Sequence, residues 1–358
     1  MSDGKARHDS QASGSLLADP GVASGSASPP VAGTTERTDV SHGFEFTEQL
    51  RKYGVLLALL VMFGVFSALR PHTFPNLENI ETMLRQVAPL AIAAFGLTVA
   101  LAMGDFDLSI GAMIGLGGTA AIALAANWEV NYVLAILLTL GIGVLVGLGN
   151  GFAVAYAGAS SFVITLAMGT ILQGIEYQIS NQQTIFQNVP HAYAEIGNAT
   201  LFGVSAQAYV ALGVFLILFL VLERSELGRY AYAIGGNIQA ARLSGVRVRQ
   251  MRVLGFVVPA VCAAMAGILL TSQAGQSTPG LGVPYLLPVF AAVFLGSTVF
   301  RVGKFNIVGT MIAVLLLEVI STGLIFLELK PALINIIQGL ILAGSVLLSR
   351  IGKSDARS

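Results

Sequence analysis

Val130-Asn-Tyr-Val-Leu-Ala-Ile-Leu-Leu-Thr-Leu-Gly-Ile-Gly-Val-Leu-Val-Gly-Leu-Gly-Asn-Gly-Phe-Ala-Val-Ala-Tyr156 contains no charged residue. It exceeds the run of about 20 apolar residues that a helix needs to cross a hydrocarbon core. Similar runs lie near 53–69, 84–103, 108–126 and 160–179, and again near 208–222, 251–272, 284–300, 305–328 and 331–349. Lipid offers no partners to backbone N–H and C=O groups, so each run is expected to be helical. The short alternating segments of an outer-membrane barrel are absent from the sequence. With 55% hydrophobic and 11% charged residues, the chain is far from soluble composition. The expected fold is all-α: a polytopic integral membrane protein of about ten transmembrane helices, with both termini cytoplasmic.

The charge distribution sets that orientation. Lys and Arg total 19 against 19 acidic residues. With the N-terminus inside, only Arg70, Arg85 and Lys330 fall on the outer side. Arg51, Lys52, Arg301, Lys304 and Arg350 flank spans on the inner side, in keeping with the positive-inside bias. An odd number of spans would place loop 223–250 and the basic C-terminal tail on opposite sides. An even number is therefore favoured.

The domain plan is a cytoplasmic tail over 1–45, a transmembrane region over 46–352 containing a cytoplasmic loop at 223–252, and a short tail over 353–358. Residues 1–43 are rich in Ser, Gly, Ala and Pro, without an apolar run, and are expected to be disordered. They lack the pattern of a cleaved signal peptide. Cys262 is the only cysteine, which excludes an intrachain disulfide and a CxxC metal site; it reads as packing volume within a span.

Inside the membrane, Gly143, Gly147 and Gly151 recur every fourth residue, as do Gly111 and Gly115. Small residues at this spacing let helices approach closely, within one subunit or between two. Met103-Gly-Asp-Phe-Asp-Leu-Ser109 separates two apolar runs and holds two carboxylates. It is either a capped turn at the cytoplasmic surface, with Asp107 opening the next helix, or a helix break lining a polar cavity. Asn150, Ser161 and Phe162 lie around neighbouring span ends. The Asn and Ser groups can hydrogen-bond a passing solute or satisfy adjacent helices. Glu176 and Glu318 fall within spans and are expected to face protein or water. The polar loop 180–207 carries no Lys or Arg and reads as solvated, with a periplasmic partner as the other possibility.

Chemical motifs are missing. The four histidines form no metal-spaced pair and no credible nucleophile triad. Gly296-Ser-Thr-Val-Phe-Arg-Val-Gly-Lys304 has the wrong glycine spacing for a phosphate loop, and Phe305 stands where a hydroxyl is needed. No catalytic residue, metal, cofactor or nucleic-acid partner is expected. Any ATPase must be a separate polypeptide.

Loop 223–252 is the most informative soluble segment. Gly235-Gly236 is expected to interrupt structure, Asn237 to cap a helix, Ile238–Ser244 to form two turns, and Gly245 to follow in the left-handed region. So short a helix is marginal in water and needs a surface to pack on. Ile238, Ala241 and Leu243 offer apolar contacts, and Arg242 can meet acidic groups. The flanking arginines can hold the loop against anionic lipid.

Four blocks in order resemble one family. Tyr232-Ala-Ile-Gly-Gly-Asn-Ile-Gln-Ala-Ala-Arg-Leu-Ser-Gly-Val246 resembles the cytoplasmic loop of permease subunits of ribose/xylose-type ABC sugar importers. Met103-Gly-Asp-Phe-Asp-Leu-Ser-Ile-Gly111 is similar to their Gly-Gly-Ile-Asp-Leu-Ser-Val-Gly signature. Gly149-Asn-Gly151 with Ser161-Phe-Val-Ile-Thr-Leu166, and Pro288-Val-Phe-Ala-Ala-Val-Phe-Leu-Gly296, are similar to two further blocks. The resemblance covers about 50–350. It implies a multi-pass subunit of the bacterial inner membrane that works with a cytoplasmic ABC ATPase, a periplasmic sugar-binding protein and a second permease copy, identical or not. It further implies a monosaccharide or related polyol as substrate. Carried over, Gly235, Gly236, Asn237, Ala240, Ala241, Arg242, Ser244 and Gly245 contact the ATPase. Asp105, Asp107, Ser109, Asn150, Ser161 and Phe162 lie near the translocation pathway.

The chain departs from the pattern at Asp105, which adds a charge, at Leu286-Leu287, where Leu-Asp is usual, and at Gly296-Ser297, where Gly-Gly is usual. The alternative reading is a self-powered, ion-coupled transporter built on Asp105, Asp107, Glu176 and Glu318.

Overall fold

A computed structural model describes residues 41–344 except 302, 331, 335, 338 and 342, with the backbone alone over 41–52. The helices run α1 (Ser41–Leu69), α2 (Leu77–Ala102), α3 (Ile110–Ala126), α4 (Tyr132–Ala155), α5 (Ser161–Ser180) and α6 (His191–Asn198). A two-stranded hairpin, β1 (Thr200–Leu201) and β2 (Val204–Ser205), leads into α7 (Ala206–Phe219), which widens into a π-helical end at Leu220–Arg224. Then come α8 (Glu226–Gly236), α9 (Ile238–Leu243), α10 (Val248–Ala274), α11 (Leu286–Gly296) and α12 (Ile307–Phe326). Among the described residues six helices are long and apolar enough to cross a bilayer: α2, α4, α5, α7 with its extension, α10 and α12. Four shorter apolar helices, Tyr53–Leu69, Ile110–Ala126, Val283–Gly296 and Ala332–Ile341, coincide with the remaining predicted spans.

Two boundaries differ from expectation. Helix α1 starts at Ser41, inside the stretch assigned to the tail, with no proline between Pro30 and Pro71 to stop it. The rest of that tail and residues 353–358 lie outside the described residues. Helix α11 stops at Gly296 rather than continuing to 300. There Asn306 Nδ2 donates to the carbonyls of Gly296 (3.3 Å) and Val299 (3.2 Å), fixing a turn before α12.

Helix α10 is the centre of the bundle and packs on α2, α3 and α4. Contact this close requires small residues, because lipid supplies no hydrophobic drive between helices. A Cβ placed on Gly96 of α2 would stand 2.7 Å from Cys262 Cβ. The repeat Gly143, Gly147, Gly151 faces α10 in the same subunit, against Ala260, Val257 and Val253. A side chain at 147 would lie 2.5 Å from Val257 Cα, whereas Gly141 has open space around it. Gly147→Leu is therefore expected to cost about 1–3 kcal/mol by overpacking, read as a lower melting temperature in detergent, while Gly141→Leu leaves it unchanged.

The segment between α10 and α11 is irregular. From Gly275, in the left-handed region at φ +62°, the chain follows α3 toward its N-terminus. Ser277 Oγ meets Thr119 Oγ1 at 2.8 Å, Gly282 packs on the backbone of Gly111 and Gly115, and Leu286 reaches Gly111. From Thr119 to Gly111 this is about 12 Å of helix length. Irregular backbone at such depth is tolerated where protein or a wet cavity satisfies it. Of the Gly111/Gly115 pair, Gly111 seats this segment and the first residue of α11, while Gly115 makes room for the Glu176 side chain of α5.

The loop 180–207 also differs from its solvated expectation. Tyr193 of α6 is fully buried, with its hydroxyl 2.6 Å from Thr271 Oγ1, and Gly197 lies against the backbone of Gln273. Ile185 and Ser277 exchange backbone hydrogen bonds of 2.9 Å. This loop is a packed cap on the end of the bundle opposite the basic loop.

Candidate functional site

The linker 103–109 joins α2 to α3 and is held from three sides. From α10, Arg252 Nε donates to Asp105 Oδ2 at 2.8 Å and Arg252 Nη2 to Asp105 Oδ1 at 2.5 Å. From α5, Ser161 Oγ accepts the Phe106 N–H (3.2 Å) and Thr165 Oγ1 accepts the Leu108 N–H (2.9 Å). From α4, Asn150 Nδ2 donates to Ser109 Oγ at 3.0 Å. Asp107 Oδ1 accepts both the backbone N–H of Ser109 (3.0 Å) and its hydroxyl (2.5 Å). The carboxylate thus closes a local turn just before α3, two residues ahead of the Ser109 cap position.

The structure brings Asp105, Asp107, Ser109, Asn150 and Ser161 into one network, and adds Thr165 and Arg252. Asp105, Asp107, Ser109 and Asn150 are buried, so in this conformation they clamp the linker rather than face an open channel. Phe162 and Phe106 are exposed beside them. Asp107 Oδ2 and Asn150 Oδ1 have no protein partner, leaving room in the network for ordered water.

The predicted helix in loop 223–252 is present as α9. Asn237 Oδ1 accepts the N–H groups of Gln239 and Ala240, each at 3.0 Å, and Gly245 follows at φ +83°. Gly235 and Gly236 end the preceding helix, α8, as expected. Gly235 is seated directly on the carbonyl of Ala102, the last residue of α2, and Gly104 lies against Gly235 in turn. The hairpin thus rests on the same linker that Asp105 anchors.

One residue of its expected outward face is turned inward. Ala241, predicted to meet a partner, is 4% exposed and packs into the subunit, while Leu243 projects at 89%. Asn237, Ala240, Arg242 and Ser244 are exposed. Arg242, Arg247 and Arg249 line an open basic hollow with Tyr156, over whose ring Arg249 lies at 5.4 Å. A second brace joins the α11–α12 turn and α8 to the end of α7: from the turn, Arg301 Nη1 donates to Glu223 Oε2 at 2.9 Å. The Tyr232 hydroxyl lies 2.9 Å from Glu223 Oε1 and 2.8 Å from the Phe305 carbonyl. Burial and the adjacent Glu223 carboxylate push the Tyr232 phenol above its usual range, so it stays a neutral donor.

A polar cluster that the residue pattern did not reveal lies nearer the opposite end. Glu176 of α5 is buried, with its carboxylate against Gly115, where only glycine leaves space. Its Oε1 accepts the Gly280 N–H at 2.8 Å and the Thr119 hydroxyl at 3.4 Å. The signal was the Gly/Pro-rich run Ser277-Thr-Pro-Gly-Leu-Gly-Val-Pro284, which marks irregular backbone. Glu318 sits apart, accepting from Thr322 at 2.9 Å beside an apolar hollow lined by Leu59, Phe63, Met83 and Val87. No cluster able to hold a metal ion occurs among the described residues.

A bundle of membrane-length helices with a capped hairpin on its basic end defines a multi-pass membrane protein. Residues 79–346 match the family described as branched-chain amino acid transport system permease component, and the chain belongs to that family. It is similar to the ribose import permease protein RbsC of Bacillus subtilis, 33% identical over 306 residues that cover 85% of this chain and 94% of the relative. RbsC of Escherichia coli is 31% identical over 296 residues, covering 82% and 92%. The L-arabinose transport system permease protein AraH of Escherichia coli is 30% identical over 315 residues, covering 88% and 95%. No solved structure matches the chain significantly.

Proposed function

We propose that this chain is the permease subunit of an ATP-driven ABC importer in the bacterial inner membrane, forming the pathway for a monosaccharide. In this reading it spans the membrane ten times with both termini cytoplasmic. It pairs with a second permease copy, takes sugar from a periplasmic binding protein, and is driven by a separate cytoplasmic ATPase. The names of its relatives support the substrate class, and they favour an ATP-driven importer over the ion-coupled alternative. Each of the four carboxylates behind that alternative is engaged: Asp105 by Arg252, Asp107 by Ser109, Glu176 by the Gly280 N–H and Glu318 by Thr322.

One observation carries the coupling assignment: the capped hairpin α8–α9 presents Leu243 to solvent while its inner face is seated through Gly235 on Ala102. Force applied at α9 by a nucleotide-driven partner reaches the linker 103–109, and through Ser161 and Thr165 it reaches α5. Such a train suits the rocking of packed elements about an interface. At the opposite end Phe202 stands 93% exposed at the β1–β2 turn, a fit contact for a binding protein. In proteoliposomes, sugar uptake should require the ATPase and ATP; uptake without any ATPase would refute the assignment. Leu243→Asp should lower ATPase co-purification at least tenfold without changing the amount of permease in the membrane, since Leu243 supports no internal packing. Undiminished recovery would move the docking surface elsewhere.

A further inference from the structure

Helices α4 and α5 are both largely unburied, yet their exposed faces differ in kind. On α4 the exposed residues within the helix are Val133, Leu134, Leu137, Leu138, Val144, Leu145, Phe152 and two glycines, a surface made for lipid. On α5 the half nearer the basic end exposes Phe162, Val163 and Leu166; in the other half Ile171 and Ile175 continue that apolar surface, but beside them Thr170 and Gln178 are exposed and Gln173 and Tyr177 are half-buried. Residues 166, 170, 173 and 177 follow helical spacing and share one face. An amide turned toward hydrocarbon at this depth is costly, and polar groups in spans face protein or water.

We propose that Thr170, Gln173 and Tyr177, with the Gly280 turn beside them, form a binding station for a neutral polyhydroxylated ligand in the outer half of the pathway. The proposal rests on the permease reading and deepens it. Gln173 Nε2 donates to the Tyr177 hydroxyl at 3.2 Å, which leaves the Gln173 carbonyl oxygen and the phenolic proton to turn outward. The Tyr177 hydroxyl also borders Gly280, at 3.5 Å from where a Cβ there would stand. Glu176 is a positioning residue: by accepting the Gly280 N–H it holds the irregular segment against α5.

The chemistry selects the ligand class. This face carries neutral donors and acceptors and an aromatic ring, and no charged side chain is exposed on it. An amino acid zwitterion would leave both its charges unpaired here, a penalty that hydroxyl groups do not incur. The same face continues toward the basic end as Leu166 and Phe162, so a polyol held at Gln173 meets an apolar barrier until the linker end of α5 moves.

Two measurements on the assembled transporter test this. In a Cys262→Ala background, Gln173→Cys and Tyr177→Cys should react with a charged, membrane-impermeant methanethiosulfonate in native membranes. Leu138→Cys, on the exposed apolar face of the outer half of α4, should react at least tenfold more slowly. Equal, slow reaction at all three positions would overturn the proposal by showing that the α5 face is dry. In proteoliposomes with ATPase and binding protein, Gln173→Leu should reduce uptake of D-ribose or L-arabinose at least tenfold. Binding-protein-stimulated ATP hydrolysis should be retained, and Gln173→Asn should restore part of the uptake. Wet labelling together with wild-type uptake by Gln173→Leu would also overturn the ligand contact. Labelling is read without sugar, so it stands even where the monosaccharide reading itself fails.

Discussion

Replacing Arg252 by glutamine is expected to destabilise the subunit by about 3–5 kcal/mol, the usual cost of orphaning a buried ion. Replacing Asp105 by asparagine should cost clearly less. The asymmetry follows from burial: the Asp105 side chain is 6% exposed and that of Arg252 20%. With Arg252 gone, the carboxylate loses both of its charge-assisted hydrogen bonds inside the bundle and must bind a proton or remain unpaired. With Asp105 gone, the guanidinium can extend its aliphatic stem toward water at the basic end. The double replacement Asp105→Leu with Arg252→Met should recover most of the loss, because a well-packed apolar pair avoids the desolvation of both ions. Thermal denaturation in detergent, with the amount of folded subunit in membranes, would measure all four species. If Asp105→Asn proves the more damaging single change, the pair does not stabilise the linker in the way its burial implies.

That pair also shows where sequence reasoning stops. Asp105 stood out as a charge added to a signature that already carries one carboxylate, and no periodicity links it to a residue 147 positions away. The neutralising partner becomes visible only when α10 packs against the end of α2. The spans, by contrast, were legible because length and apolarity are local properties. So was α9, since an Asn cap and a left-handed Gly bracket it within a few residues. Which face of α9 points outward was not legible, because spacing defines faces only relative to a surface, and that surface is built by α2 and α10. Ala241 and Leu243, read alike as apolar contacts, part for this reason, one buried in the subunit and the other exposed. Tyr193 went unread for a similar one: a single aromatic in a polar loop carries no pattern, and its burial depends on Thr271 from a distant helix. The polar face of α5 was not legible: Gln173 lies in a largely apolar run, and only comparison with the exposed surface of α4 marks that face as different.

The adjacent glycines of the hairpin should behave in opposite ways. Gly235→Ala is expected to reduce ATP-driven uptake at least tenfold, and Gly236→Ala to leave it close to wild type. In sequence the two are interchangeable, and neither adopts a positive φ that would demand glycine. The difference lies in what a methyl group would meet. At 235 it collides with the Ala102 carbonyl, a backbone atom that cannot turn aside; at 236 nothing lies within 4 Å. Gly236→Ala should even favour the last turn of α8 slightly, since glycine in a helix costs about 0.5–1 kcal/mol relative to alanine. Gly235→Ala instead lifts the hairpin from the end of α2, and so from the linker whose carboxylate is bound by Arg252 and whose amides are bound by Ser161 and Thr165. The partner would still meet an intact, exposed α9, so ATP hydrolysis should continue while transport per ATP falls. The ratio of sugar uptake to ATP hydrolysis in proteoliposomes is therefore the decisive quantity. A fall confined to Gly235→Ala would place the seat of coupling at the Gly235–Ala102 contact, and equal ratios for the two variants would refute it.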